Sequence, residues 1–108
     1  GINTYASTVD LSTSRIKDLC FSIGSQINNV FLIFISIDNN KAYCSCYISK
    51  EIVSDKILNA SNIISKLSGF INGKGGGQPF YATCAGDNLG GIDKLMSEVK
   101  KIQNEFQK

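Results

Sequence analysis

The chain contains no histidine. That absence removes Ser–His and Cys–His nucleophile pairs, histidine–metal sites and histidine acid–base chemistry. Its acidic residues do not compensate. Asp10, Asp18, Asp38, Glu51, Asp55, Asp87, Asp93, Glu98 and Glu105 are scattered and form no paired motif, so no catalytic residue is assigned. Long apolar runs are also missing: the longest, Val30 to Ile35, is strand-sized, which argues against a membrane span. The opening "GINTYAST" has neither the basic region nor the apolar stretch of a signal peptide. It also lacks an initiator methionine, and a fragment of a longer protein is expected. An excess of one charge is absent too. A net charge of +2 with 19% charged residues neither announces nucleic acid nor excludes it, since patches matter more than totals.

Four cysteines are present, but the spacings of Cys20, Cys44, Cys46 and Cys84 match no structural zinc pattern. Cys44 and Cys46 lie two apart in an apparent strand and point to one face. All four are expected to be reduced, buried small hydrophobes, with no metal site and cytoplasmic residence as the default.

Residues 1–108 make one small domain, 43% hydrophobic with six phenylalanines and four tyrosines, enough for a core without staples. Ile2 to Val9 reads as a strand. From Ser12 to Ile27, the residues Ile16, Leu19, Cys20, Ile23 and Ile27 form one helical stripe, with Asp10, Ser12 and Thr13 as candidate caps. "VFLIFISI", Val30 to Ile37, reads as a central strand covered on both faces. "DNN" at 38–40 is hairpin-turn chemistry leading into a strand from Ala42 to Ile48. Glu51 to Asp55 is a candidate helical turn. A second helix runs from about Ser61 to Ile71, with Gly73 placed to stop it. Phe80 to Ala85 is a short strand. A last helix, Gly90 to Phe106, carries Ile92, Leu95, Met96, Val99, Ile102 and Phe106 on one stripe. The order β-α-β-β-α-β-α predicts an α/β (α+β) sandwich, a mixed sheet with flanking helices.

The feature that needs explaining is "GKGGGQPFYATCA", Gly73 to Ala85. A flexible linker inside so short a chain wastes a connection. A P-loop needs its lysine after the glycines and a helix next, whereas here the lysine precedes them and a strand follows. The dinucleotide fingerprint fails for the same reason. Two readings stay open. The glycines allow tight packing of helix against sheet, or they expose backbone N–H groups to an anion or a nucleic-acid backbone. In the second, Lys74 adds a point charge, Gln78 an amide, and Phe80 or Tyr81 a ring for stacking, one of the two pointing inward.

The stretch "GFINGKGGGQPFYATCAG", ahead of a helix beginning near Ile92, resembles the glycine motif in the C-terminal (DHH-associated, C-Ala) domain of alanyl-tRNA synthetases. The hairpin "VFLIFISIDNNKAYCSCYIS" and the element order extend the resemblance over nearly the whole chain. Gly73, Lys74, Gly75, Gly76, Gly77, Pro79, Ala82 and Gly86 match the motif. Gln78 stands where arginine is more usual, which removes a charge and a bidentate fork. Asp87 falls where a second glycine often lies.

The resemblance implies a non-catalytic domain that contacts the elbow of tRNA(Ala) and supports aminoacylation and editing. It implies other domains of the same synthetase as partners, and in some members a homodimer. It implies no cofactor in this domain, although the parent ligase uses ATP, Mg and Zn. Lys74, the Gly75–Gly77 backbone, Gln78, Phe80 and Tyr81 become the candidate RNA contacts, with Lys94 and then Lys100 and Lys101 extending the basic surface. The rival readings are a nucleotide- or single-strand-binding domain of a DHH-type phosphoesterase, a dimerisation module, and an appendage of a free-standing editing protein. The phosphoesterase motif usually carries histidine after the glycine triplet, where this chain has Gln78-Pro79.

Overall fold

The apolar run and the hairpin after it organise the molecule. The computed structural model describes residues 2–54 and 58–106. Asp55, at the end of the expected helical turn, and the Phe106 side chain, expected on the last stripe, lie outside the described residues.

Five strands form one sheet: β1 (Asn3–Thr8), β2 (Val30–Asp38), β3 (Lys41–Ile48), β4 (Gly73–Gly77) and β5 (Tyr81–Gly86), in the spatial order β1-β2-β3-β5-β4. β1 and β2 are parallel and the other pairings antiparallel. A parallel pair cannot be joined by a tight turn, and the helix α1 (Thr13–Gln26) makes the crossover. The β2–β3 hairpin turns through Asn39 and Asn40 at φ 51° and 62°. This left-handed pair suits asparagine and matches the strands' twist.

The strand period divides β2 between two cores. Phe31, Ile33 and Ile35 join Ala42, Cys44, Cys46 and Ile48 beneath the helices α3 (Ala60–Ser68) and α4 (Ile92–Phe106). Val30, Leu32 and Phe34 face the other way, packing with Tyr47 against Ile16 and Cys20 of α1. Each fully buried large apolar side chain contributes about 1.5–3 kcal/mol relative to exposure, so this doubly covered strand anchors three layers. Two caps fix where helices begin. The Ser12 hydroxyl accepts from the Arg15 N–H at 3.3 Å, and Asn59 Oδ1 accepts from the Asn62 N–H at 3.2 Å.

The expected elements are present, with three corrections. Ile27 is not part of the buried stripe. It is 47% exposed because it caps the C-terminus of α1 in an extended conformation. The helix before the glycines ends in a 3-10 turn, Gly69–Ile71, and its stop is Asn72 at φ 53° and ψ 44°, not Gly73. The glycine run is itself a strand, while the helical turn expected at Glu51 is present as the short helix α2 (Lys50–Ser54) after β3.

Candidate nucleic-acid interface

The run Gly73–Gly77, given no element of its own in the expected order, pairs antiparallel with β5 as the outer strand of the sheet. Glycine is a poor strand former in isolation; here a close approach outweighs the propensity. A Cβ at Gly75 would collide with the Thr83 carbonyl and lie 2.5 Å from Cys84 Cα, a separation that real side chains do not reach. At Gly76 a Cβ would meet nothing within 4 Å. The strand's start is pinned by a hydrogen bond of 3.1 Å from Asn72 Nδ2 to Asp87 Oδ1. Asp87 therefore holds the turn as a hydrogen-bond acceptor. Among the described residues no strand lies beyond β4, so the outward N–H and C=O groups of its outer side have no ladder partner.

At the far end, Gln78 closes a tight turn. Its N–H donates to the Tyr81 carbonyl at 2.8 Å and its carbonyl accepts from the Tyr81 N–H at 3.3 Å. Proline suits the second turn position, and the Pro79 carbonyl accepts from the Ala60 N–H at 2.8 Å, tying the turn to the start of α3. The Gln78 side chain is exposed.

Lys74 is exposed and in no ion pair among the described residues. The register sets Lys74 beside Ala85 and Tyr43, on the sheet face that α1 partly covers. It borders two shallow hollows, of about 280 Å³ with Thr13, Tyr43 and Thr83, and about 230 Å³ with Lys41, Asn72 and Asp87. Lys94 is exposed on α4, which packs on the opposite face, so the structure does not bring it to Lys74. Lys100 and Lys101 are exposed on the same helix, and Lys101 pairs with Glu98 at 4.0 Å.

Phe80 and Tyr81 are both half-buried, and Tyr81 is the one that packs against the α1-side core. They meet a ring that sequence reasoning did not single out. The Phe21 centroid lies 5.2 Å from Tyr47, 5.6 Å from Tyr81 and 6.4 Å from Phe80. Lys17 Nζ stands 5.8 Å above the Tyr81 ring, within cation–π range. Lys17, Phe21 and Gly24 fall at i, i+4 and i+7, a second stripe of α1 beside the apolar one. The available signal was a phenylalanine following a lysine at helical spacing outside the core pattern.

A family model, the DHHA1 domain, matches residues 3–105. The chain belongs to the DHHA1 family. The alanine–tRNA ligase of Christiangramia forsetii is 43% identical over 102 residues, which is 94% of this chain and 12% of that protein. The corresponding ligase of Flavobacterium psychrophilum is 44% identical over 98 residues, 91% of this chain and 11% of that one. The DHHA1 chain thus spans only about an eighth of the length of these relatives or less. Among solved structures, the C-Ala domain from Aquifex aeolicus alanyl-tRNA synthetase superposes with a TM-score of 0.80 at 20% identity, covering 94% of each chain.

Among the described residues no group of three or more His, Cys, Asp or Glu is arranged to hold a metal ion, and no helix is long and apolar enough to cross a membrane. All four cysteines are free and buried. Burial pushes the Cys20 thiol up to about 12 and holds Cys46 well above its ordinary value. Cys44 faces Cys84 directly across β3 and β5; hydrogen bonding to Cys84 and then burial keep its thiol high. Cys20, Cys44 and Cys46 therefore resist ionisation, whereas the hydrogen bond with Cys44 draws the Cys84 thiol below its ordinary value.

Proposed function

We propose that this chain is the non-catalytic tRNA-contacting domain of an alanine–tRNA ligase. The observation that carries this reading is 43% identity, over 94% of the chain, to a ligase of which the match covers 12%. The surface described above supports it. A glycine strand leaves its outer backbone open, an unpaired lysine stands on it, and half-buried rings lie at its far end. None of these features performs chemistry, and all of them suit a sugar-phosphate backbone and exposed bases. Contact with the tRNA elbow, cooperation with the other domains of the same cytoplasmic ligase, and service to its aminoacylation and editing steps belong to the same proposal.

The test is tRNA binding across a salt series. Neutralised phosphates release counterions, so the logarithm of affinity falls linearly with the logarithm of salt. Lys74→Ala is expected to weaken binding and to reduce the magnitude of that slope by about 1. Binding and slope both unchanged would remove Lys74 from the interface. Saturable mononucleotide binding at β4, with no tRNA binding, would replace this reading by the phosphoesterase-type one.

A further inference from the structure

The rings beside α1 enclose a cavity that the glycine strand does not explain. It measures about 310 Å³ and is bounded by Phe21, Gly24 and Ser25 of α1, by Tyr47, by Phe80, and by Lys50 with Glu51 at the start of α2. That volume lies at the lower end of the range for small-ligand clefts, about 300–1,000 Å³. We propose that this basin receives one unstacked nucleobase of a bound RNA strand, with Phe21 as its stacking platform. The proposal rests on the RNA-contacting reading above and shifts the main stacking ring from the β4–β5 turn to α1.

Three observations carry it. First, Phe21 is 39% exposed although it touches three other rings, so part of its surface is left for a fourth. Every base has a π-face, and an exposed aromatic ring beside a groove is the usual platform for single-stranded nucleic acid. Second, the missing side chain at Gly24 lets the Tyr47 ring lie against α1, where a Cβ would overlap its hydroxyl and lie 2.5 Å from Cζ, and both residues line the open basin beside it. Third, the rim carries the polar groups that a base and its phosphate need. Glu51 can accept from an exocyclic amine and Lys50 can donate to a ring acceptor or a phosphate. Ser25 already donates to the Ser22 carbonyl at 2.8 Å, leaving its oxygen free to accept. Lys17 supplies a second cation at the Tyr81 edge, and neither lysine is ion-paired among the described residues.

The chain has no tryptophan, so Phe21→Trp places a single reporter in the basin. In the 108-residue chain, this variant is expected to keep tRNA affinity within about threefold. Its emission should quench saturably, with the same midpoint as binding followed by anisotropy of labelled tRNA. Phe21→Ala should weaken binding about tenfold, the order expected for one stacked base, with the salt slope unchanged because no phosphate contact is lost. Phe21→Leu, which keeps apolar packing but not a flat ring, should lose nearly as much. If tRNA binds and Lys74→Ala weakens it, but the tryptophan signal stays constant and both truncations fall within twofold of wild type, the basin is not a base site while the RNA-contacting reading survives. Quenching by a free mononucleotide at micromolar concentration, with none by tRNA, overturns the RNA source. No tRNA binding by the wild type overturns both readings.

Discussion

Gly75 lies so close to Cys84 across the β4–β5 ladder that no Cβ fits between the two strands. The obstruction is backbone, the Thr83 carbonyl and Cys84 Cα, and cannot swing aside as a side chain would. Gly75→Ala should therefore cost about 2–4 kcal/mol, in the range of severe steric and strain effects. Gly76, one residue on, has open space where its Cβ would be. Gly76→Ala should be neutral, or stabilise by about 0.4–1 kcal/mol by restricting the unfolded chain. Urea denaturation of the two variants checks the contrast. Equal stabilities would mean that β4 is not held against β5 in solution. If Gly76→Ala keeps its stability but loses tRNA affinity, that glycine serves contact and not packing.

Gly24 and Tyr47 form a second such pair, with a different outcome. An alanine Cβ at 24 would lie 2.5 Å from Cζ and 2.7 Å from Cε1 of the Tyr47 ring, which is a side chain and can move. The available space is the cavity that Tyr47 already lines. The substitution should push the ring into that cavity. The packing lost is offset by the gain in helix propensity, about 1 kcal/mol for glycine to alanine. Gly24→Ala should thus melt within a few degrees of wild type while its basin is filled. In the Phe21→Trp background, the expected readout is loss of tRNA-dependent quenching without loss of thermal stability. Retained quenching would show that the ring stays where it is.

How far these features were legible beforehand depends on their range along the chain. β2, the Asn39-Asn40 turn and the Ile16–Cys20 stripe are local patterns, and the structure places them as the periodicity predicts. The glycine run carries no strand pattern, because glycine announces only freedom. Whether that freedom becomes a loop or a strand is decided by Cys84, which faces it only after folding. The same holds for the helix stop: Asn72 and Gly73 both tolerate a left-handed conformation, and the side-chain bond from Asn72 to Asp87 selects the asparagine. The basin was the least legible. Phe21, Tyr47 and Phe80 come from distant parts of the chain, and no spacing rule brings them together.

Two buried thiols, Cys20 and Cys46, make stability fall in alkaline solution. An unfolded cysteine ionises near 8.5, whereas Cys20 in the fold is held up to about 12 and Cys46 well above its ordinary value, both chiefly by burial. Their contribution is fully present below the unfolded value. It is lost as pH rises from there towards the folded value, because the unfolded chain then releases protons that the folded chain retains. Cys20 should remove about 1 kcal/mol between pH 7.5 and 9.5, and Cys46 adds to the loss in the same direction. Urea midpoints measured under reducing conditions test this, and Cys20→Ala should flatten the decline by its share. With no histidine to titrate, the interval from pH 6 to 8 should be level. A midpoint as high at pH 9.5 as at 7.5 would show that the thiols ionise freely in the fold.

Ser45 leads to a prediction of the opposite sign. It is 1% exposed, set between Phe34 of β2 and Thr83 of β5, and its hydroxyl makes no hydrogen bond among the described residues. A buried hydroxyl without a partner carries its full desolvation cost, about 1–3 kcal/mol. Ser45→Ala removes that cost and leaves only an oxygen-sized gap, so the variant should be more stable by about 1 kcal/mol. For a domain of this size that is a rise in Tm of about 4–8 °C. A destabilised Ser45→Ala variant would mean that the hydroxyl is hydrogen-bonded in solution.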